Sequence, residues 1–217
     1  MSNWHAKATG AYADTSIEAI ENAKSIYEVL GGLGWTVNAV CGLLGNISHE
    51  GGMNPWRWQS DKVPSKNDSP WRNKGYGFTQ FTPGGKYIND PFAINSTGYA
   101  PNFSDKTGLP SDGYAQMIFV DAKADYYPTA RYPMSYADFK ISESDPETLA
   151  SVWLYNYERP SAENARKTEP SRRSSALYWW GVLSSEPVPP PTPPPTPQPP
   201  LGLNIPIWLM FKLGRCI

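Results

Sequence analysis

The sequence TVNAVCGLLGNISHEGGMNPW, residues 36 to 56, decides the fold. Apolar residues recur every three or four positions from Val37 to Ile47, which is the spacing of one buried face of a helix. This pattern predicts a helix from about residue 36 to about Glu50, where the pair Gly51-Gly52 ends it. The carbonyl end of the helix dipole and the apolar surroundings both disfavour ionisation of the Glu50 carboxyl.

A carboxyl group that keeps its proton near neutral pH is what glycoside cleavage requires of its general acid, which protonates the departing glycosidic oxygen. Periodicity by itself favours a plainer interpretation, in which Glu50 ends a helix in solvent. The sharp turn at residues 51 to 55 and the aromatic residues that follow favour the catalytic interpretation, because aromatic rings suit the faces of sugars.

Helical spacing of apolar residues recurs elsewhere in the chain. It predicts helices over residues 17 to 30, 112 to 126 and 171 to 183, and a further helix that begins near residue 144. Residues 144 to 147, Ser-Asp-Pro-Glu, resemble a capping box with proline in the first turn. Residues 1 to 186 are therefore predicted to form one mainly α-helical domain.

Periodicity disappears from residue 53 to residue 110, where Gly, Pro, Asn, Ser and Asp dominate. A stretch this long inside a compact domain predicts a functional loop region with a small hairpin. Trp56, Trp58 and Trp71 lie in polar, glycine-rich sequence and are candidate platforms for sugar stacking. The helical positions of four other tryptophans predict core packing instead: Trp35, Trp153, Trp179 and Trp180.

Composition and charge exclude several classes of function. The formal net charge of -1 over 217 residues gives no electrostatic footprint for nucleic acid. Two cysteines and two histidines are too few for a disulfide framework or a Cys/His zinc cluster. A cysteine peptidase is also excluded, because Cys41 and His49 would lie about 12 Å apart along one helix.

The clearest boundary is the proline-rich stretch at residues 187 to 200, which predicts a stiff polyproline II linker between the domain and residues 201 to 217. Those last residues are apolar but too short and too interrupted to span a membrane. We expect them to dock on a neighbouring protein, with insertion into a membrane surface as the less favoured alternative. The N-terminus has no secretory signal pattern, so synthesis in the cytoplasm is expected.

Three motifs follow one another along the chain: SHEGGMNPW at residues 48 to 56, GYGFTQFTP at residues 75 to 83, and ASVWLYNYERP at residues 150 to 160. The first resembles the lysozyme-superfamily motif in which a catalytic glutamate ends a helix before a small-residue turn and Asn-Pro, as in goose-type lysozymes and soluble lytic transglycosylases. The second resembles the Gly-Leu-x-Gln segment that lines the sugar cleft, and the third resembles the later helix that closes it. The Tyr-Glu-Arg-Pro variant and the long polar insertion look closest to phage tail lysozymes, the peptidoglycan-degrading domains carried at phage tail tips.

The resemblance covers about residues 15 to 183 and implies a lysozyme-like helical fold whose loop region forms the glycan cleft. It implies that Glu50 is the general acid of a muramidase, which cleaves the β-1,4 bond between N-acetylmuramic acid and N-acetylglucosamine of bacterial peptidoglycan. No metal or organic cofactor is implied. The residues expected to bind the glycan are Asn54, Trp56, Trp58, Tyr76, Phe78, Gln80 and Tyr157.

The second catalytic carboxylate stays open among Asp61, Asp68 and Glu158, any of which could orient a water molecule. A separation of about 5 Å between the two carboxyl groups would imply retention of configuration, and one of about 6.5 to 9.5 Å would imply inversion. A lytic transglycosylase needs no second carboxylate, because the hydroxyl group of the substrate attacks instead. The residues slightly favour hydrolysis.

Three placements of the protein remain as hypotheses. The resemblance favours an enzyme held in the virion at the phage tail tip, attached to a neighbouring tail protein through residues 201 to 217. A released endolysin is an alternative, although residues 187 to 217 are few for a wall-binding module. A glycan-binding or assembly protein without turnover is the alternative of another class, against which the presence of Glu50 argues weakly.

Overall fold

We analysed a computed structural model of the chain. The structure describes residues 4–62, 74–88, 90, 110–187 and 189–190. The predicted tail at residues 201 to 217 and most of the linker lie outside the described residues, as do Asp68 and Trp71.

The first two helices match the sequence pattern. Helix α1 spans Ile17–Gly32 and begins at Ser16, whose side chain accepts a hydrogen bond from the amide of Ala19. Helix α2 spans Val37–Ile47 and begins at Thr36 in the same way. It ends three residues earlier than predicted, so Glu50 lies in the turn that follows α2 and not inside the helix.

The remaining helices are α3 at Gly85–Ile88, α4 at Pro110–Lys123, α5 at Tyr136–Lys140, α6 at Pro146–Trp153 and α7 at Ala162–Leu183. A π-helical turn, Leu154–Glu158, continues α6. The described residues contain no strand, and isolated bridges join Tyr76 to Trp58 and to Phe81. The expectation of a mainly α-helical domain is confirmed. No helix in the described part of the chain has both the length and the apolar character needed to cross a membrane.

Two details of the predicted helices were wrong. The side chain that caps α6 is Asp145, not Ser144, and it accepts a hydrogen bond from the amide of Thr148 at 2.7 Å. Helix α7 begins nine residues before the predicted start at Ser171, because Pro170 lies inside the helix and does not end it.

Helix α2 lies at the centre and packs against both α6 and α7. Two glycines on α2 allow this close approach. A Cβ atom on Gly42 would lie 2.7 Å from Cβ of Leu149 on α6, and one on Gly45 would overlap the backbone oxygen of Arg172 on α7. Larger residues at these positions would push the neighbouring helices away, so the small residues of α2 set the position of Arg172.

Helix α4 joins the loops around the site through the buried Gln116. Its side-chain amide donates to the carbonyl of Pro55 at 2.7 Å, and its side-chain oxygen accepts from the amide of Phe78 at 2.9 Å. The two loops that carry the first and second sequence motifs are thereby held on one helix.

Three of the four tryptophans predicted to lie in the core are buried: Trp35, Trp153 and Trp179. The prediction was wrong for Trp180, which is 41% exposed. Trp180 occupies the outer side of α7, where its indole nitrogen donates to Asn38 at 3.0 Å.

Candidate active site

Glu50 is positioned by the turn that closes α2. Its backbone amide donates to the carbonyl of Asn46 at 3.0 Å, and the amide of Gly51 donates to the carbonyl of Phe78 at 3.0 Å. A Cβ atom on Gly51 would lie 2.6 Å from Cα of Phe78, so this close approach requires a glycine. The first and second motifs therefore meet backbone to backbone beside the acid.

Glu50 is paired with a buried arginine. Nη2 of Arg172 lies 2.6 Å from Oε1 of Glu50, and the side chains are 7% and 25% exposed, respectively. Nη1 of the same guanidinium donates to Oδ1 of Asn46 at 3.0 Å. Asn46 in turn donates to the carbonyls of Gly42 and Ala150, both at 3.0 Å, so α2, α6 and α7 jointly fix the arginine.

A second carboxyl group, that of Glu158, lies partly buried at the end of the π-helical turn. Its Oε1 accepts a hydrogen bond from the indole nitrogen of Trp153 at 3.2 Å. Burial and then the neighbouring charge of Glu50 raise the pKa of Glu158 to about 8. Within the described part of the chain, no basic group lies within 4 Å of this carboxylate, unlike that of Glu50.

The two carboxyl groups border one groove. A hollow of about 430 Å³ is lined by both glutamates and also by His49, Arg57, Gln59, Ser60, Gln80, Thr82 and Pro160. A second hollow of about 200 Å³ shares three of these residues: Gln80, Thr82 and Glu158. Glu158 therefore stands where the two hollows meet, with Glu50 in the larger one.

Comparison with known proteins identifies a family for this sequence. The sequence profile of the phage tail lysozyme family matches residues 21 to 183, which include every helix from α2 to α7. The chain belongs to the phage tail lysozyme family.

A similar protein is morphogenesis protein 1 of Bacillus phage B103, which is 30% identical over 174 residues. The aligned part covers 78% of this chain and 41% of that relative. The chain thus spans about two-fifths of the length of the curated relative that it matches.

Of the two candidates for a second carboxylate that the structure describes, Asp61 and Glu158, only Glu158 lines the same hollow as Glu50. Asp61 pairs instead with Nε of Arg57 at 3.0 Å and accepts from the amide of Gly10 at 2.8 Å. The hydrogen bond from Arg57 and that from Gly10 lower the pKa of Asp61. Asp61 does not line the hollow that holds Glu50, and Asp68 lies outside the described residues.

Five residues expected to touch the glycan are in the core of this family member: Asn54, Trp56, Trp58, Tyr76 and Phe78, each at most 8% exposed. The rings of Trp56 and Trp58 are therefore not exposed for stacking on a sugar, and a part of these residues in glycan binding stays a prediction. The polar sequence around them did not indicate this burial, because residues distant in the chain contribute to it: the ring of Trp58 packs on that of Tyr76 with centroids 4.7 Å apart. Asn54 is joined to the N-terminal segment, because its side-chain amide nitrogen donates to the carbonyls of Lys7 and Gly10.

Gln80 and Tyr157 do lie at the groove of this family member. Gln80 borders both hollows, and its amide nitrogen donates to the carbonyls of Arg57 and Gly77, each at 3.0 Å. Tyr157 lines the smaller hollow, and its ring stacks on Trp153 with centroids 4.5 Å apart.

The sequence patterns did not single out Arg172. An arginine is rarely buried without a charged partner, so a buried Arg172 would have indicated a nearby carboxylate. The predicted helix that contains Arg172 was too short to show that this side chain faces the core. Nowhere in the described part of the phage tail lysozyme domain do three His, Cys, Asp or Glu side chains converge as metal ligands would.

Proposed function

We propose that this protein is a muramidase that hydrolyses the β-1,4 bond between N-acetylmuramic acid and N-acetylglucosamine in bacterial peptidoglycan. The observation that supports the proposal is the groove bordered by two carboxyl groups in unequal surroundings, Glu50 beside Arg172 and Glu158 partly buried beside Trp153. Glycoside hydrolysis needs one carboxyl that gives up a proton and one that stays ionised. Membership of the phage tail lysozyme family supports the same reaction.

The shape of the groove supports a chain-like substrate. The two hollows adjoin and share Gln80, Thr82 and Glu158, so a ligand that fills both passes the Glu158 side chain. A glycan strand has this extended form, and its successive sugars offer hydroxyl groups to a lining that is largely polar.

Digestion of purified, insoluble peptidoglycan with mass spectrometry of the soluble fragments tests the proposed reaction. We expect fragments with reducing-end muramic acid from the wild type and none from Glu50→Gln, because the reaction requires this side chain. The matched control is Glu163→Gln, the same change on the exposed first turn of α7. Anhydro-muramic products would overturn hydrolysis in favour of transglycosylation, and no fragments from the wild type would overturn catalysis.

We further propose that the protein is a component of the phage particle, located at the tail and attached through residues 201 to 217. The family name and the name of the relative support a place in the virion. Deletion of residues 187 to 217 is expected to leave digestion of purified wall intact and to remove the protein from purified virions. Absence of the full-length protein from virions would favour a released endolysin.

A further inference from the structure

Three basic side chains converge on the smaller hollow of the groove. Lys86 lies on α3, Lys123 is the last residue of α4, and Arg159 follows the π-helical turn. Because the three come from separate elements, they are not the solvated face of one helix. Basic side chains that meet in this way at a concave surface form a site for an anionic group.

The ion pairs of these three side chains leave positive charge in excess. Oδ2 of Asp125 lies 3.0 Å from Nη2 of Arg159 and 3.4 Å from Nζ of Lys86, so two cations share one carboxylate. Nζ of Lys123 lies 3.1 Å from Oδ1 of Asp90. These contacts pair two carboxylates with three cations.

The same ion pairs are open to water. The side chains of Lys86, Lys123 and Arg159 are 54%, 42% and 40% exposed, respectively. Exposed ion pairs contribute little to stability, so the carboxylate of a ligand can replace an aspartate at small cost. Glu158 is the other acid of this hollow, and in the described part of the chain it forms no ion pair with any of the three.

The sugars of the proposed substrate do not account for these cations. In peptidoglycan the lactyl carboxyl group of muramic acid is joined by an amide bond to a short peptide, so the sugars of the strand are uncharged. The negative charges are the carboxylates of that peptide, which branches from the side of the strand. The smaller hollow adjoins the larger one at Gln80 and Glu158, where it can receive such a branch.

We propose that the smaller hollow binds the peptide of muramic acid through the carboxylates of that peptide, which Lys86, Lys123 and Arg159 recognise. This inference rests on the proposed muramidase function and adds a substrate class to it, namely glycan strands that still carry their peptides. The sugar chain passes Glu50 in the larger hollow, and the peptide branch enters the smaller one.

Three forms of the same soluble, uncrosslinked glycan strands test this proposal. The first form carries its peptides, the second carries peptides whose carboxylates have been converted to amides, and the third has lost its peptides to an amidase. We expect the full-length wild type to digest the first form about 10-fold more efficiently, as kcat/KM, than either of the others, which two exposed charge pairs together can supply. Removal of the peptide uncovers the lactyl carboxylate on the sugar, so the second form isolates the charges of the peptide.

Variants then locate the recognition. The double variant Lys86→Gln/Lys123→Gln should bring the ratio between the first form and the second close to one, because both cations that it removes border the smaller hollow. Lys167→Gln is the matched control, since Lys167 is exposed on α7 and lines neither hollow. It should keep the ratio of the wild type.

The outcomes separate this proposal from the function on which it rests. A wild type that digests none of the three forms contradicts the muramidase function. A wild type that digests the first form no better than the second, or a folded double variant that keeps the preference, overturns the recognition of peptide carboxylates and leaves the muramidase function standing. Circular dichroism verifies that each variant is folded, and the amidated strands decide the charge requirement on the wild type alone.

Discussion

Nη2 of Arg172 lies 2.6 Å from Oε1 of Glu50, although 122 residues separate them in the chain. The pair joins the end of α2 to the middle of α7, and the groove that we propose for the glycan opens beside it. The stability of the domain and the charge of the proposed catalytic site are therefore expected to depend on the same contact.

The ion pair is expected to show as a coupling energy between its two residues. We expect Glu50→Gln, Arg172→Met and the double variant to give a coupling of about 1 to 2 kcal/mol, below that of a fully buried pair because solvent reaches part of Glu50. Urea unfolding of the four proteins measures it. Strictly additive effects would show that the pair contributes nothing to the folded state.

Close packing of α2 against α7 is expected to control the site. In Gly45→Ala the added methyl group meets Cβ of Ala176 at 2.9 Å and overlaps the backbone oxygen of Arg172. We expect a loss of about 1 to 3 kcal/mol in the free energy of unfolding and reduced peptidoglycan digestion. Gly181→Ala is the matched control, since the same helix has open space there, and it should stabilise by about 0.5 to 1 kcal/mol. Equal effects of the two changes would contradict the close-approach explanation.

The charge of Glu50 is expected to move the titration of Glu158. Because the Glu50 carboxylate raises the pKa of Glu158, Glu50→Gln should lower that pKa from about 8 toward the ordinary range of a glutamate. A ¹³C carboxyl NMR titration of glutamate-labelled protein measures the shift, and the resonance is assigned by its absence in Glu158→Gln. An unchanged titration in Glu50→Gln would mean that the two groups do not interact.

A buried carboxyl that lines neither hollow of the groove should govern part of the pH dependence of stability. Asp112 accepts hydrogen bonds from the hydroxyl groups of Tyr76 and Tyr87, and burial raises the pKa of Asp112 to about 6. This value lies above the value of about 3.9 in the unfolded chain, so the contribution of Asp112 to stability is full below about pH 4 and is lost as the pH rises through about 6.

Comparison with Asp112→Asn tests that dependence. Between pH 4 and pH 6 the stability of the wild type should fall relative to the variant by about 2 kcal/mol at most. Urea unfolding at pH 4, 5, 6 and 7 measures the difference. A constant difference across this range would show that Asp112 has the same pKa in the folded and unfolded chains.

Local pattern was sufficient for most of the helices. The hydroxyl caps at Ser16 and Thr36 and the apolar spacing behind them act within a few residues, so α1 and α2 could be predicted from the sequence. The prediction failed at Pro170, because a proline that normally ends a helix is tolerated where the helix is held by its packing on α2 and α6.

The aromatic residues show a different limit. Trp56 and Trp58 lie in sequence that is polar and rich in glycine, yet both are buried, and the ring of Trp58 packs on that of Tyr76 with centroids 4.7 Å apart. Trp180 has helical spacing, yet it faces outward. Burial depends on which distant segment covers a side chain, and local spacing does not contain that information.

The sequence by itself determined that the domain is mainly helical, that the chain resembles phage tail lysozymes, and that Glu50 stands near the C-terminal end of a central helix. Only the tertiary structure decided that Arg172 is the partner of Glu50, and that Glu158, rather than Asp61, shares its groove. The physical reason is range. Helix spacing and capping are set by neighbours along the chain, whereas the charge state of a carboxyl is set by burial and by charges that folding brings from distant positions.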